Sequence, residues 1–203
     1  MLKGARIYRT LSYLRSMRRI SLTLKCAVTA FLTSLALAVP VAAADDVELE
    51  ALFEGLKTTD DAAALQIENR IQEIWSQSGS PSMDLLLDRG RKALVDGDTT
   101  LAIRHFTALI DHAPEFAEGY NGRATAYFQS GRYGLSLNDI RQTLTLNPRH
   151  FGAMSGLALI LEEFGRPDDA LAAWREVQKL NPKREGIDDA LLRLERQVEG
   201  QEL

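Results

Sequence analysis

The chain has 203 residues, 45% hydrophobic and 26% charged, ordinary globular proportions that exclude wholesale disorder. Its net charge of −4 is unevenly spread: residues 1–44 hold seven of the 24 Lys and Arg and no acidic residue, and the remainder, with 17 basic against 28 acidic residues, is net −11. That balance repels phosphate, and with no basic stripe interleaved with aromatics it argues against nucleic-acid binding. The one cysteine, Cys26, excludes an internal disulfide or a thiolate metal cluster.

Residues 1–44 have the three-part layout of a secretory signal: a basic start, an apolar run from Cys26 to Val39, then Ala42, Ala43 and Ala44 before Asp45 and Asp46. The run has 14 residues, short of the roughly 20 that span a bilayer, and Pro40 closes it. The expectation is cleavage after Ala44 and a periplasmic mature chain without a membrane segment. The alternative is an uncleaved anchor that tethers a structural subunit of a membrane-bound complex. Met17, followed at once by Arg18 and Arg19, offers a second possible start that shortens an otherwise long basic region. The doubled arginine also fits a twin-arginine address, although Ile20-Ser21-Leu22 continue it poorly. Lys25 stands where a small residue would precede a lipid-modified cysteine. A mature chain from Asp45 would have no cysteine in a compartment that permits disulfides.

Leu49, Leu52, Phe53 and Leu56, then Leu65, Ile67, Ile71, Ile74 and Trp75, recur at helical spacing and predict a helix pair, a degenerate repeat or an N-terminal cap, within residues 45–82. Gly79 and Pro81 mark residues 76–82 as the hinge that follows it.

A fixed period then begins. Gly97, Gly131 and Gly165 are 34 apart, as are Pro114, Pro148 and Pro182, two residue types sharing one period and one phase. Small residues recur at Gly90, Ala124 and Ala158 and at Ala102, Ser136 and Ala170; bulky apolar ones recur at Phe106, Ile140 and Trp174 and at Ile103, Leu137 and Leu171. The units are residues 83–116, 117–150 and 151–184, each two helices around a glycine. Tyr120, Ala124, Tyr127 and Phe128 before the glycine, with Leu137, Ile140 and Leu144 after it, form buried stripes. The glycine suits the left-handed residue that ends the first helix. Asp98 and Pro167-Asp168-Asp169 open the second, and the terminal proline stops it. The small columns predict close crossings, Gly90 against Ala102 and Ala124 against Ser136. After the third unit, Ile187, Leu191, Leu194 and Val198 predict an amphipathic capping helix within 185–203.

Over residues 83–184 the chain resembles the tetratricopeptide repeat family. Asn121-Gly122-Arg123-Ala124 and Arg89-Gly90 are similar to its Asn-Arg-Gly segment, and Asn147-Pro148 and Asn181-Pro182 to its closing Asn-Pro. Thr99 and Pro167 depart from the aromatic present at Tyr133, and Leu109, Thr143 and Val177 replace a usual alanine. The resemblance implies an all-α fold: a right-handed α-α solenoid of three helix pairs, flanked by the N-terminal pair and the C-terminal helix. It also implies a concave groove lined by first helices that receives a protein or peptide partner. Mapped by repeat position, the lining is Leu87, Arg91, Leu94, Asn121, Thr125, Phe128, Ser155, Leu159 and Glu162; the alternative is that some of these contact the terminal helices instead. Gly152 and Gly156 stand where a third-repeat cationic clamp for a C-terminal carboxylate would place its cations.

Catalytic signatures are lacking. His105, His112 and His150 form no HExxH or His-Cys pattern and read as solvent-facing or packing residues. No GxSxG elbow or phosphate-binding glycine loop is present. Asp60-Asp61, Glu162-Glu163, Asp168-Asp169 and Asp188-Asp189 are adjacent on helices, and adjacent positions point about 100 degrees apart, so they read as helix-start or solvated charges. The expectation is a non-catalytic adapter without metal or cofactor, acting in the cell envelope. The surplus negative charge favours a basic partner or serves solubility alone.

Overall fold

The computed structural model describes residues 41–201, with side chains from Asp46 to Gly200. The expected export signal lies outside them except for its last four residues, and the cleavage point expected after Ala44 falls in the first turn of the first helix. Among the described residues there are nine helices and no strand: α1 Val41–Thr58, α2 Asp61–Trp75, α3 Pro81–Val95, α4 Thr99–His112, α5 Ala117–Gln129, α6 Tyr133–Leu146, α7 Phe151–Glu163, α8 Pro167–Leu180 and α9 Ile187–Gln201. None is long and apolar enough to cross a membrane.

The 34-residue period is a period of backbone geometry. Gly97, Gly131 and Gly165 have φ of +78°, +71° and +64°, the left-handed region that a Cβ disfavours. Each ends the first helix of a pair with the same two bonds. In the first pair the Gly97 amide donates to the Leu94 carbonyl at 3.1 Å and the Asp98 amide to Ala93 at 2.9 Å; Gly131 and Arg132, then Gly165 and Arg166, repeat this. Asp98 caps α4 by accepting from the Leu101 amide at 2.9 Å, and Pro167 occupies the first turn of α8, where no amide donor is required.

Side chains close the pairs. Ser136 Oγ donates to the Ala124 carbonyl at 2.8 Å, a close crossing at the expected residues. At the other expected crossing, Gly90 meets Phe106 of α4 before Ala102. A Cβ at Gly90 or at Gly122 would lie 2.4 Å from Phe106 Cε1, so the fully buried Phe106 ring fills the space between α3 and α5. Arg123 joins α5 to α6 through a two-pronged contact with Asp139, at 2.7 and 2.9 Å.

Three apolar clusters result. Leu87, Ala102, Phe106 and Leu109 centre the first, and Ala124, Ile140, Ala153 and Ile160 the second. The third unites Phe151, Trp174 and Val177 with Ile187, Leu191 and Leu194 of α9, and with Phe53, Leu56 and Ile71 of α1 and α2. The N-terminal pair therefore does not stack ahead of the first repeat in the manner of a degenerate unit. It docks on the third, where its ring-rich stripe covers the start of α7: Trp75 stacks on His150 at 4.6 Å and meets Phe151 at 5.1 Å between ring centroids.

Candidate functional site

A cleft of about 330 Å³ opens between α5 and α7. Ala124, Gly152, Ala153 and Gly156 keep it open because none has a side chain beyond Cβ. Phe128 and Leu159 flank it, the latter 41% exposed. Asn121, Thr125 and Gln129 supply amide and hydroxyl groups, and Arg184 borders it. Arg184 is already engaged, donating to Glu68 Oε1 at 2.6 Å with its guanidinium 5.3 Å from the Phe151 ring centroid. A Cβ at Gly156 would make ordinary contact with Ile140 at 3.4 Å, so the space is unfilled rather than sterically demanded.

Five of the nine predicted groove residues meet here: Asn121, Thr125, Phe128, Ser155 and Leu159. Two direct their hydroxyls inward to their own helices, Ser155 to the Phe151 carbonyl at 2.8 Å and Thr125 to that of Asn121 at 3.0 Å. The other four lie elsewhere. Leu87 is buried in the first cluster and Leu94 packs against it. Arg91 bridges Glu118 and Ser76. Glu162 accepts from Trp174 Nε1 at 2.8 Å and pairs with Arg193 of α9.

Beneath the cleft lies a polar network that sequence reasoning missed. Glu118, 5% exposed, and His150, 3% exposed, meet through Oε1 and Nε2 at 2.7 Å. His150 Nδ1 accepts from the Ala153 amide at 3.0 Å and so caps α7. An accepting Nδ1 carries no proton; the ring proton is on Nε2 and points at the carboxylate. The second Glu118 oxygen accepts from Arg91 at 2.8 Å and from Asn121 at 3.5 Å. Burial pushes the Glu118 pKa up, but the hydrogen bonds from His150 and Asn121 and the charge of Arg91 outweigh it, and the carboxyl is held below its ordinary value. The one sequence signal was a polar residue immediately before α7, a cap position; the 32-residue separation from Glu118 carries no local pattern.

The arrangement supplies apolar walls, a short polar rim and a rigid base, which suits holding a side chain of another polypeptide. A tetratricopeptide repeat model matches residues 87–139 and 122–185. A TPR repeat-containing protein of Rhizobium etli is 37% identical over 135 residues, covering 66% of this chain and 66% of its own length. The Sgt2 TPR domain of Aspergillus fumigatus superposes with a TM-score of 0.56 at 22% identity, over 61% of this chain and 83% of that domain. The first TPR domain of Spaghetti (RPAP3), solved bound to the HSP90 peptide SRMEEVD, superposes with a TM-score of 0.55 at 21% identity, over 57% and 94% of the two chains. With the shared period, the glycine-turned helix pairs and these matches, the chain belongs to the tetratricopeptide repeat family.

Proposed function

We propose that the protein is a non-catalytic adapter that works in the periplasm, holding a segment of a protein partner in the cleft between α5 and α7. Tetratricopeptide repeat proteins generally serve as scaffolds for protein–protein interaction, and the RPAP3 domain is bound to a peptide. The observation that carries the reading here is the open slot beside Gly152 and Gly156, flanked by Phe128 and Leu159. An apolar side chain entering it meets apolar surface while the side-chain amides of Asn121 and Gln129 serve the partner backbone. The cleft's cation, Arg184, is engaged by Glu68, which favours an internal segment over a C-terminal carboxylate. The net −11 of residues 45–203 favours a basic partner, and the signal-like start supports export and a role in cell-envelope assembly or maintenance.

The test is a crosslinking pulldown with wild type and an Asn121→Ala, Phe128→Ala, Leu159→Ala variant of unchanged helical content. A partner that the variant loses supports the cleft; a partner retained by both moves binding to another face. The N-terminus of the cellular protein decides export: Asp45 supports a released adapter, whereas an intact Met1 or Met17 in the membrane fraction supports the tethered subunit.

A further inference from the structure

The N-terminal pair α1–α2 is held on the third repeat by opposite charges and aromatic rings. Glu50 accepts from Arg149 at 2.7 Å, Asp61 pairs with Lys183 at 3.1 Å, and Glu68 accepts from Arg184 at 2.6 Å and from Asn181 Nδ2 at 2.7 Å. Arg149 lies 4.5 Å over the Phe53 ring, and Trp75 stacks on His150 and meets the Phe151 ring. In each of the three ion pairs, Glu50–Arg149, Asp61–Lys183 and Glu68–Arg184, the carboxylate comes from α1–α2 and the cation from the repeats.

Two features set this contact apart from the rest of the fold. Its buried apolar residues all fall in the cluster of the third repeat, and none contributes to the clusters centred on Phe106 or Ile140. Removing the pair would leave both of those intact. At the contact, Asn181 Oδ1 is buried without a hydrogen-bond partner, an uncompensated acceptor that water would satisfy on opening. The segment 76–80 that joins α2 to α3 contains Gly79 at φ +76°, where the chain turns out of the pair.

We propose that α1–α2 is a detachable occupant of the repeat surface, opening as a unit while α3–α6 stay folded. Its release uncovers Arg149, Phe151, Lys183 and Arg184, a cationic and aromatic surface that joins the cleft at Arg184. Because Glu68 holds Arg184, the docked pair limits the cleft to its Phe128 and Leu159 end, and the released state lengthens it. The opening of the free protein does not require the cleft to be occupied.

Native-state hydrogen exchange of the whole protein at low denaturant tests this directly. The expected result is that amides of residues 45–75 exchange through an opening that leaves the slowest amides of α4 and α6 protected. Glu68→Lys should accelerate the 45–75 amides by about tenfold or more, because a charge-assisted bond is lost and a repulsion gained, without accelerating α4 and α6. Adding Arg184→Glu to it should restore slow exchange. If the wild-type 45–75 amides exchange only with global unfolding, at the rate of the slowest amides of α4 and α6, the pair is a permanent part of the core and the proposal is overturned. A loss of the adapter reading in the pulldown would leave the exchange pattern unchanged, so the two fail separately.

Discussion

Glu118, on α5 of the second repeat, and His150, which caps α7 of the third, share a 2.7 Å hydrogen bond with both side chains almost fully buried. Arg91 brings the first repeat to the same carboxylate, and Trp75 stacks on the imidazole from the N-terminal pair. One carboxylate therefore couples three repeats, and the helix pair touches it through the His150 ring.

The coupling makes stability depend on acid pH. The Glu118 pKa is lower in the folded protein than its ordinary value, so the folded state favours the ionised form. Its contribution is fully present above the unfolded carboxyl pKa of about 4.3 and is lost as pH falls through the lower folded value. Urea unfolding between neutral pH and pH ~3 should show this loss in wild type. Glu118→Gln should be less stable at neutral pH by about 1.5–3 kcal/mol and flatter in the acid range. Equal acid slopes for the two proteins would remove Glu118 as the titrating group.

His150 holds two bonds at once, the cap of α7 and the contact to Glu118. His150→Ala should cost about 3–5 kcal/mol, since it leaves a buried carboxylate partly unpaired as well as an uncapped helix. His150→Asn retains a capping oxygen and should recover about 1 kcal/mol of that. Chemical denaturation of the three proteins checks the order wild type, Asn, Ala.

Two glycines on first helices should respond oppositely to alanine. Gly122→Ala drives a Cβ to 2.4 Å from the buried Phe106 ring and should lower stability by about 1–3 kcal/mol. Gly156→Ala meets only ordinary contact at 3.4 Å and should be neutral or stabilising by up to about 1 kcal/mol, as helical Gly→Ala changes are. Thermal melts of both variants check this. Gly156→Val, which extends into the cleft, should keep the fold and weaken partner capture.

Ala170 is fully buried where α8 packs. Ala170→Leu should overpack that crossing and cost about 1–3 kcal/mol. An unchanged melting temperature would mean that Ala170 does not lie at a close crossing of α7 and α8.

The helix pairs, their turns and their boundaries were legible in the residues because each is a local matter. A left-handed glycine recurring every 34 residues, an aspartate or proline opening a helix and an apolar stripe on each face act over a few neighbouring residues, and their repetition makes them visible. The cleft was legible in part. Asn121, Thr125, Phe128, Ser155 and Leu159 follow from repeat position, whereas Leu87 was claimed by the Phe106 cluster, and Arg91 and Glu162 by partners in other helices.

What only the tertiary structure decided is where non-repeating residues go. The apolar spacing of residues 49–75 is equally consistent with stacking ahead of the first repeat or docking on the third. The choice lies in contacts such as Glu68 with Arg184 and Trp75 with His150, more than 70 residues apart in the chain. The Glu118 network is of the same kind, since a buried carboxylate is tolerable only where distant donors converge on it. Period and helix phase are properties of neighbours along the chain; burial, charge pairing and the occupancy of a face are properties of neighbours in space.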